Sequence, residues 1–391
     1  MPKQVKSIGR VGKVYPGIDV LMQRNCDILA GKRIGLITNH TGISRDGYTD
    51  IELLFNQKNC KLVALFSPEH GLTGTADDKV ASGIDSTTGL PIYSLYGKTQ
   101  KPTPEMLQNL DVLMFDMQDI GSRFYTYIGT MALAMRAAKE NGKKFVVLDR
   151  PNPIGGKKVE GAIPPVKLCG KNTCIYPIAT RHGMTVGELA LMFNDYYKIG
   201  CDLTVVPMRN WSRSMYFDQT GLLWINPSPN MKTLDGAILY PGPGMLETTV
   251  LSPGRGTDHP FEMYGAPFID GRKLAENLAN RKTPGVRFVP YQFVPSAKYH
   301  QFKDQTCYGV YAIISDRNKI NSITVGLHLA QALYENDSTK YKALDGFKIM
   351  TGDPDCWEML TVKKMTPEKI VKKWKKDLDT FKRARRKYLL Y

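Results

Sequence analysis

Residues 34–42 read Ile-Gly-Leu-Ile-Thr-Asn-His-Thr-Gly, a short apolar run that ends abruptly in polar side chains. A run of this length and composition is typical of a strand buried on both faces of a parallel sheet. Four similar runs follow it: Leu62 to Phe66, Val112 to Phe115, Phe145 to Leu148 and Leu203 to Val206. They alternate with segments of helical period, which predicts an α/β fold with a mostly parallel sheet.

Helices are predicted between these strands because apolar residues recur at helical spacing. The three clearest contain Ile51 to Phe55, Met131 to Ala138 and Val186 to Phe193. Thr185 and Glu188 have the spacing of a capping box at the start of the third helix. Asn141-Gly142 is expected to end the second one.

From about Trp211 the sequence becomes rich in proline, glycine and aromatic residues, which indicates a second, smaller α+β domain. We place the domains at residues 14–225 and 226–391. Three elements are predicted in the second: strands at Arg287 to Val289 and Val310 to Ile314, and a helix near Ile323 to Leu333. Thr366 and Pro367 predict the start of a final helix. Its apolar face contains Ile370, Val371, Trp374, Leu378 and Phe381.

The chain carries 53 Lys and Arg against 37 Asp and Glu, a formal charge of +16 that favours acidic surfaces or substrates. Much of the excess lies in residues 363–387, and no helix-turn-helix, zinc-finger or RNP signature is present, so we expect no nucleic-acid partner. No apolar run of about 18 residues exists, so we expect no membrane span. The basic start lacks the apolar centre of a signal peptide. We nevertheless expect a periplasmic or secreted protein, whose export signal is absent from this sequence, and the cytoplasm is the alternative.

The seven cysteines are scattered and odd in number, which fits no disulfide framework. Cys169 and Cys174 lie in one predicted loop. A disulfide pair and a coincidental placement in the same loop both remain open.

Polar side chains follow four of the predicted strands at the point where each ends. The segments are Asn39-His40-Thr41-Gly42, Ser67-Pro68-Glu69-His70-Gly71, Asp116-Met117-Gln118-Asp119 and Asp149-Arg150-Pro151-Asn152. Ligands of open parallel sheets bind outside the carboxyl ends of the strands, because the loops leaving those ends converge there. Pro68 and Gly71 predict a tight turn that presents Glu69 and His70. An isolated Asp at such an end can equally cap the next helix.

The common cofactor and metal motifs are absent from the sequence, and we expect neither a cofactor nor a metal ion. There is no G-x-G-x-x-G after the first strand, no phosphate-binding G-x-x-x-x-G-K-[ST] and no H-E-x-x-H. His40, His70 and His182 are far apart in the sequence, so they would bind one metal ion only if the fold brought them together. The remaining carboxylates, amides, histidines and arginines suit hydrolysis of a glycosidic bond by positioned acid and base groups.

Several longer runs resemble one known family. They are Phe66 to Gly71, Asp116 to Tyr127, Asp149 to Pro153, Arg181 to Thr185 and Gly254 to Thr257. Along essentially the whole chain they resemble the NamZ-type exo-β-N-acetylmuramidases. The resemblance implies a Rossmann-like N-terminal domain and a smaller C-terminal one. It also implies a cleft between them that removes N-acetylmuramic acid from the non-reducing ends of peptidoglycan saccharides or muropeptides.

The resemblance further implies roles for individual residues. Glu69 is the expected acid that protonates the leaving oxygen, with Asp116 and Asp119 ranked first as its partner, ahead of Glu160 and Glu247. His70 is expected to orient Glu69 or to bind the sugar, and a packed structural histidine is the alternative. The remaining candidates for substrate contacts are Asn39, His40, Gln118, Arg123, Tyr125, Arg181, His182 and Arg255.

The arginines are the candidates for the lactyl carboxylate of the sugar, and we expect about one of the three to face it. Tyr125, Tyr127 and Tyr264 are candidates for stacking on sugar rings, and aromatic packing is the alternative. Two rival functions remain at this stage. One is a muropeptide-binding protein without turnover, and the other is a basic protein that docks on anionic polymers.

Overall fold

A seven-stranded sheet lies at the centre of the N-terminal part of the protein, which we describe from a computed structural model covering residues 12–74, 82–298 and 301–391. Its strands are β1 (Arg33–Thr38), β2 (Lys61–Ser67), β3 (Gly83–Ile84), β4 (Pro91–Ser94), β5 (Val112–Asp116), β6 (Lys144–Leu148) and β7 (Asp202–Val206). Their spatial order is β3-β4-β2-β1-β5-β6-β7, and only the β3–β4 pair is antiparallel. All five predicted strands are confirmed, and the short edge strands β3 and β4 are additions.

Helices pack on both faces of this sheet, as its apolar strands require. They are α1 (Gly17–Gln23), α2 (Asp50–Phe55), α3 (Pro104–Leu107), α4 (Tyr127–Glu140) and α5 (Val186–Asp195). The predicted capping box is present, since Thr185 N donates to Glu188 Oε2 at 3.0 Å and Glu188 N donates to Thr185 Oγ1 at 3.3 Å. Asn141 caps the end of α4, as the sequence predicts.

The C-terminal part is a small antiparallel sheet with helices. It contains β8 (Met263–Ala266), β9 (Val286–Phe293), β10 (Cys307–Ile314), α6 (Leu234–Leu239), α7 (Gly271–Asn280), α8 (Ser322–Asn336), α9 (Phe347–Thr351), α10 (Cys356–Thr361) and α11 (Pro367–Arg385). The sheet order is β8-β10-β9. The smaller α+β unit is therefore confirmed, and β9 and β10 are longer than their sequence patterns predict.

The final helix α11 begins as predicted, with Thr366 as its N-cap and Pro367 in its first turn. Ile370, Trp374 and Phe381 are buried along one face, while the opposite face carries lysine and arginine. Beyond the helix the chain returns to the large sheet, where the Tyr391 hydroxyl donates to Asp149 Oδ2 at 2.6 Å. The last residue therefore anchors the C-terminal part beside β6.

One continuous cluster of buried apolar side chains joins the two parts. Phe115 and Met131 from the large sheet and its helix belong to the same cluster as Leu239 and Leu333 from the C-terminal helices. Fully burying a side chain of this size contributes roughly 1.5–3 kcal/mol, so a shared core holds the parts in a fixed relation. No helix within the described ranges is both long and apolar enough to cross a bilayer.

Candidate active site

Glu69 sits on a tight turn immediately after β2. Gly71 N donates to Pro68 O at 3.1 Å, and His70 adopts a left-handed conformation with a φ of 71°. This conformation costs an ordinary residue roughly 1–2 kcal/mol, so the surrounding structure must hold it in place. The turn thus aims Glu69 away from the sheet on a rigid support, as the flanking proline and glycine predict.

Glu69 lines a cavity of about 190 Å³ between the N-terminal and C-terminal parts. The lining residues come from both parts and are Glu69, His70, Phe124, Tyr125, Thr126, Tyr127, Thr173, Ser228, Met231, Tyr240, Glu247, Arg255, Phe261 and Met350. Six of the residues predicted from the sequence meet here: Glu69, His70, Tyr125, Tyr127, Glu247 and Arg255.

Thr126 holds the carboxyl group of Glu69 in place. Its hydroxyl donates to Glu69 Oε2 at 2.6 Å, and Thr126 directly precedes the first residue of α4. Glu69 therefore lies beside the first turn of this 14-residue helix. Tyr96 is a second neighbour, since burial and the charge of Glu69 raise the pKa of this phenol to about 12.

Glu247 and Arg255 form an ion pair across the cavity lining. Arg255 Nε donates to Glu247 Oε1, and the guanidinium lies over the ring of Phe261 at 5.2 Å from its centroid. Burial opposes the charge on Arg255, but the Glu247 carboxylate outweighs it and raises the pKa of the arginine above its ordinary value. The cavity thus contains a fixed cation and two carboxyl groups.

Tyrosines form the aromatic wall. The rings of Tyr125 and Tyr127 meet edge to face with centroids 4.9 Å apart, and Tyr240 packs against Tyr125 at 6.2 Å. Burial raises the pKa of Tyr125 far above its usual value, so its hydroxyl stays neutral. That hydroxyl is buried beside the side chains of Ser228 and Tyr127.

Asn39 and His40 support the cavity from the end of β1. Asn39 Nδ2 donates to the Tyr127 hydroxyl at 2.9 Å, so Asn39 orients the wall and does not line it. His40 Nε2 lies 2.7 Å from Asn226 O and borders an adjoining cavity of about 460 Å³, which shares Ser228 with the first. Burial lowers the pKa of His40.

The two aspartates ranked first as partners of Glu69 do not line its cavity. Asp116 is fully buried and paired with Arg150, whose NH2 lies 2.8 Å from Asp116 Oδ2. Asp119 Oδ2 accepts from Gly121 N at 2.7 Å and lies 3.5 Å from His182 Nε2. The carboxylate that the fold brings into the cavity with Glu69 is Glu247, which the sequence ranked lower.

Gln118 and His182 are engaged with the protein itself. Gln118 Nε2 donates to the carbonyls of Asp119 and Pro151 at 2.6 and 2.7 Å. His182 Nδ1 accepts from Met184 N at 3.2 Å. Tyr264, considered for stacking, is fully buried in β8 and donates to a neighbouring carbonyl.

Two of the three candidate arginines bind other groups of the protein itself. Arg123 donates to the carbonyls of Ile349 and Met350 at 3.0 and 2.8 Å. Arg181 donates to Ile154 O at 2.5 Å and pairs with Glu160 at 3.5 Å. Glu160 in turn accepts from the backbone N–H of Ser322 at 2.9 Å, which links it to the start of α8. Arg255 alone of these three arginines lines the cavity.

Sequence reasoning missed Thr126, Tyr240 and Ser228. Thr126 lies inside the quoted run Asp116 to Tyr127, so its place in that run was an available signal. Tyr240 and Ser228 carried no comparable signal, because they reach the cavity only when the C-terminal part packs on the sheet. Within the described residues, no group of three or more His, Cys, Asp or Glu side chains could hold a metal ion.

Comparison with known proteins identifies two adjacent family domains. The N-terminal domain of "Exo-beta-N-acetylmuramidase NamZ" matches residues 34–235, and the C-terminal domain of the same description matches residues 238–391. The chain is 44% identical over 395 aligned positions to the peptidoglycan beta-N-acetylmuramidase NamZ of Bacillus subtilis (strain 168), covering 100% of this chain and 94% of that protein.

Two solved structures have the same fold over nearly the full length. Both are crystal structures of DUF1343 family proteins from Bacteroides fragilis NCTC 9343. The first has a TM-score of 0.89 at 40% identity and covers 98% of this chain and 100% of that one. The second has a TM-score of 0.78 at 32% identity and covers 97% and 99%.

Proposed function

Since the chain belongs to the NamZ family of exo-β-N-acetylmuramidases, we propose that it releases N-acetylmuramic acid from the non-reducing ends of peptidoglycan fragments. In this proposal Glu69 is the general acid that protonates the leaving glycosidic oxygen. The observation that carries it is the position of Glu69, which lines a cavity together with a second carboxyl group and an arginine. Most glycosidases use two carboxyl groups that flank the glycosidic bond they cleave.

The size of the cavity supports action at chain ends. About 190 Å³ is small beside the roughly 300–1,000 Å³ of common ligand pockets. Such a space suits one terminal sugar better than the middle of a glycan strand. The adjoining cavity beside His40 would receive the leaving saccharide.

Arg255 supports the preference for a muramic acid residue. The lactyl group of this sugar carries a carboxylate, and a guanidinium has five N–H donors in a planar fork that fits a carboxylate. Its bond to Glu247 uses Nε, so further donors remain for the substrate. We propose that Arg255 binds the lactyl carboxylate.

Glu247 is the proposed second carboxyl group of the reaction. It pairs with Arg255 and lines the same cavity as Glu69, which suits a group that activates water or steadies the 2-acetamido group of the sugar. Glu69 and Glu247 then have different tasks because their neighbours differ. Thr126 and Tyr96 surround the first, whereas a cation faces the second.

The test replaces Glu69 with Gln and measures release of N-acetylmuramic acid from a MurNAc–GlcNAc disaccharide, because the sugar alcohol is a poor leaving group that needs the acid. A positioned general acid contributes about 100–10,000-fold, so E69Q should lose that much turnover while still binding the sugar. Glu105→Gln changes an exposed glutamate outside the cavity and should leave turnover unaltered. Full turnover by E69Q would refute the role of Glu69. Binding without any turnover by the unaltered protein would instead favour the muropeptide-binding alternative.

A further inference from the structure

Cys169 and Cys174 lie at the two ends of a tight loop beside the cavity. Their sulfur atoms are 3.2 Å apart. Gly170 N donates to Cys174 O, and Cys174 N donates to Lys171 O, both at 2.8 Å, so the backbone itself holds the ends of the loop together. Thr173 of this loop lines the cavity that contains Glu69. The sequence left open whether these cysteines act as a pair.

The two thiols differ in their access to solvent. Cys174 is fully buried, whereas Cys169 is partly exposed. A soluble reagent can therefore reach the sulfur of Cys169 first. Any later reaction of Cys174 must take place inside the protein, with Cys169 as its partner.

The electrostatic surroundings favour a thiolate in this pair. The hydrogen bond from the Cys169 thiol lowers the pKa of Cys174 to about 7 despite burial, and the nearby guanidinium of Arg123 acts in the same direction. The same hydrogen bond raises the pKa of Cys169. Near neutral pH the pair thus shares one proton across the 3.2 Å gap. Thiolates, not thiols, are the nucleophiles of disulfide exchange.

We propose that Cys169 and Cys174 are a redox-active dithiol, oxidised to an intramolecular disulfide by exchange with a small or protein-borne disulfide. Cys169 Sγ attacks one sulfur of the oxidant while its proton passes to the Cys174 thiolate. A mixed disulfide forms and one oxidant thiolate leaves.

Cys174 then loses its proton and attacks Cys169 Sγ, which expels the second thiolate. The two protein sulfurs are thereby oxidised, and the oxidant disulfide is reduced to one thiol and one thiolate, because the single proton of the pair passes to a released thiolate. The disulfide bond requires the sulfurs to approach to about 2.05 Å, a movement of about 1 Å that is small enough for a loop of this kind.

Closing the bond alters the wall of the cavity. Asn172 packs directly on α4, since a Cβ placed on Gly129 would lie 2.8 Å from Asn172 Cα. Residues 172–173 are therefore held between this helix and the cavity, and Thr126 at the start of the same helix holds Glu69. A shift of the loop is transmitted to Thr173 and α4. This effect on turnover rests on the proposed function, whereas the thiol chemistry does not.

The first arm of the test uses the unaltered protein. It is incubated with glutathione disulfide at pH 7.5, the remaining thiols are alkylated, and the peptides are mapped by mass spectrometry. The expected product is a Cys169–Cys174 link with the loss of two hydrogens. If both residues remain alkylated, or if a stable glutathione adduct persists on Cys169, the proposal is refuted.

The second arm compares variants and turnover. Cys169→Ser should abolish the link, whereas Cys201→Ser, which removes a buried cysteine elsewhere, should retain it. Oxidation should lower kcat/KM for a chromogenic N-acetylmuramide by roughly two- to tenfold, since displacements near 1 Å at a reacting site are costly. C169S should show no such change. A linked protein with unaltered kcat/KM would refute the coupling to the cavity, and absence of turnover in both redox states would instead count against the proposed function.

Discussion

Thr126 Oγ1 donates a 2.6 Å hydrogen bond to Glu69 Oε2 and thereby joins the turn after β2 to the start of α4. One carboxyl oxygen of Glu69 is fixed by this bond, which orients the group toward the cavity. The Thr126 side chain makes no capping hydrogen bond within α4, so its contact with Glu69 serves the site and not the helix.

Thr126→Val should therefore lower turnover without unfolding α4. A typical hydrogen bond contributes about 0.5–1.5 kcal/mol, and we expect a loss of about two- to tenfold in kcat with a smaller change in KM. Steady-state kinetics on a chromogenic N-acetylmuramide measures both. Thr126→Ser retains the hydroxyl and should stay close to the unaltered enzyme; equal losses in the two variants would contradict the assigned role of the bond.

Arg255→Lys should remove the preference for the lactyl carboxylate. Lysine keeps the charge but lacks the planar fork, so discrimination worth about 1.5–3 kcal/mol should disappear. We expect kcat/KM to fall about 10–100-fold for an N-acetylmuramide and far less for its lactyl methyl ester. Arg281→Lys, which alters an arginine paired with Glu335, provides a control for the substitution itself. If both substrates suffer alike, Arg255 braces Glu247 and does not read the carboxylate.

The sequence predicts the strands well and the site only in part, for reasons visible at particular residues. Buried apolar runs such as Val112 to Phe115 indicate the strands of the central sheet directly. In contrast, β4 has only four residues and begins with Pro91, and it forms by pairing with β2. Glu69 lies two residues beyond its strand, and its side chain reaches the cavity. Asp116 is the last residue of β5 itself, so its side chain stays in the buried layer with Arg150.

The arginines illustrate a different limit. A guanidinium binds a substrate carboxylate and a row of backbone carbonyls with the same donors, so the sequence does not distinguish Arg255 from Arg123. The distinction arises only when α9 packs against the segment between β5 and α4 and supplies carbonyl groups to Arg123. Glu247, Arg255 and Tyr240 likewise meet Glu69 through long-range packing, which no local pattern encodes.

Gly74→Ala should disturb the cavity beside His40. Gly74 has a φ of +69°, and an added Cβ would lie 1.7 Å from His40 Cε1, so the imidazole must move. We expect kcat/KM to fall by about tenfold or more, since His40 borders the proposed leaving-group cavity. Gly89→Ala is a close control because Gly89 has a φ of +70° with open space around it. Both variants share the backbone strain, roughly 1–2 kcal/mol, and only the first has the clash. Identical activity in the two variants would argue against a role for His40.

The contact between Tyr391 and Asp149 predicts a stability effect that depends on pH. Burial raises the pKa of Asp149 to about 7 from its ordinary 3.8, so the folded protein holds this proton more tightly than the unfolded chain does. The contribution of Asp149 to the free energy of unfolding therefore falls as the pH rises from about 4 to about 7. At pH 5 the Tyr391 hydroxyl meets a neutral carboxyl group, and at pH 8 it meets a carboxylate.

Tyr391→Phe should accordingly destabilise the protein more at pH 8 than at pH 5. Hydrogen bonds to charged groups contribute about 1.5–3 kcal/mol, against about 1 kcal/mol for neutral ones, so urea unfolding should resolve a difference of about 1 kcal/mol between the two pH values. Tyr388→Phe serves as the matched control, because the Tyr388 hydroxyl donates to Asp195. The charge of Lys387 lowers the pKa of that carboxyl to about 2, so it is ionised at both pH values and the effect should not vary. An equal loss for Tyr391→Phe at pH 5 and pH 8 would contradict this prediction. It would mean that Asp149 is ionised at both pH values, because its four hydrogen-bond donors stabilise the carboxylate more than burial destabilises it.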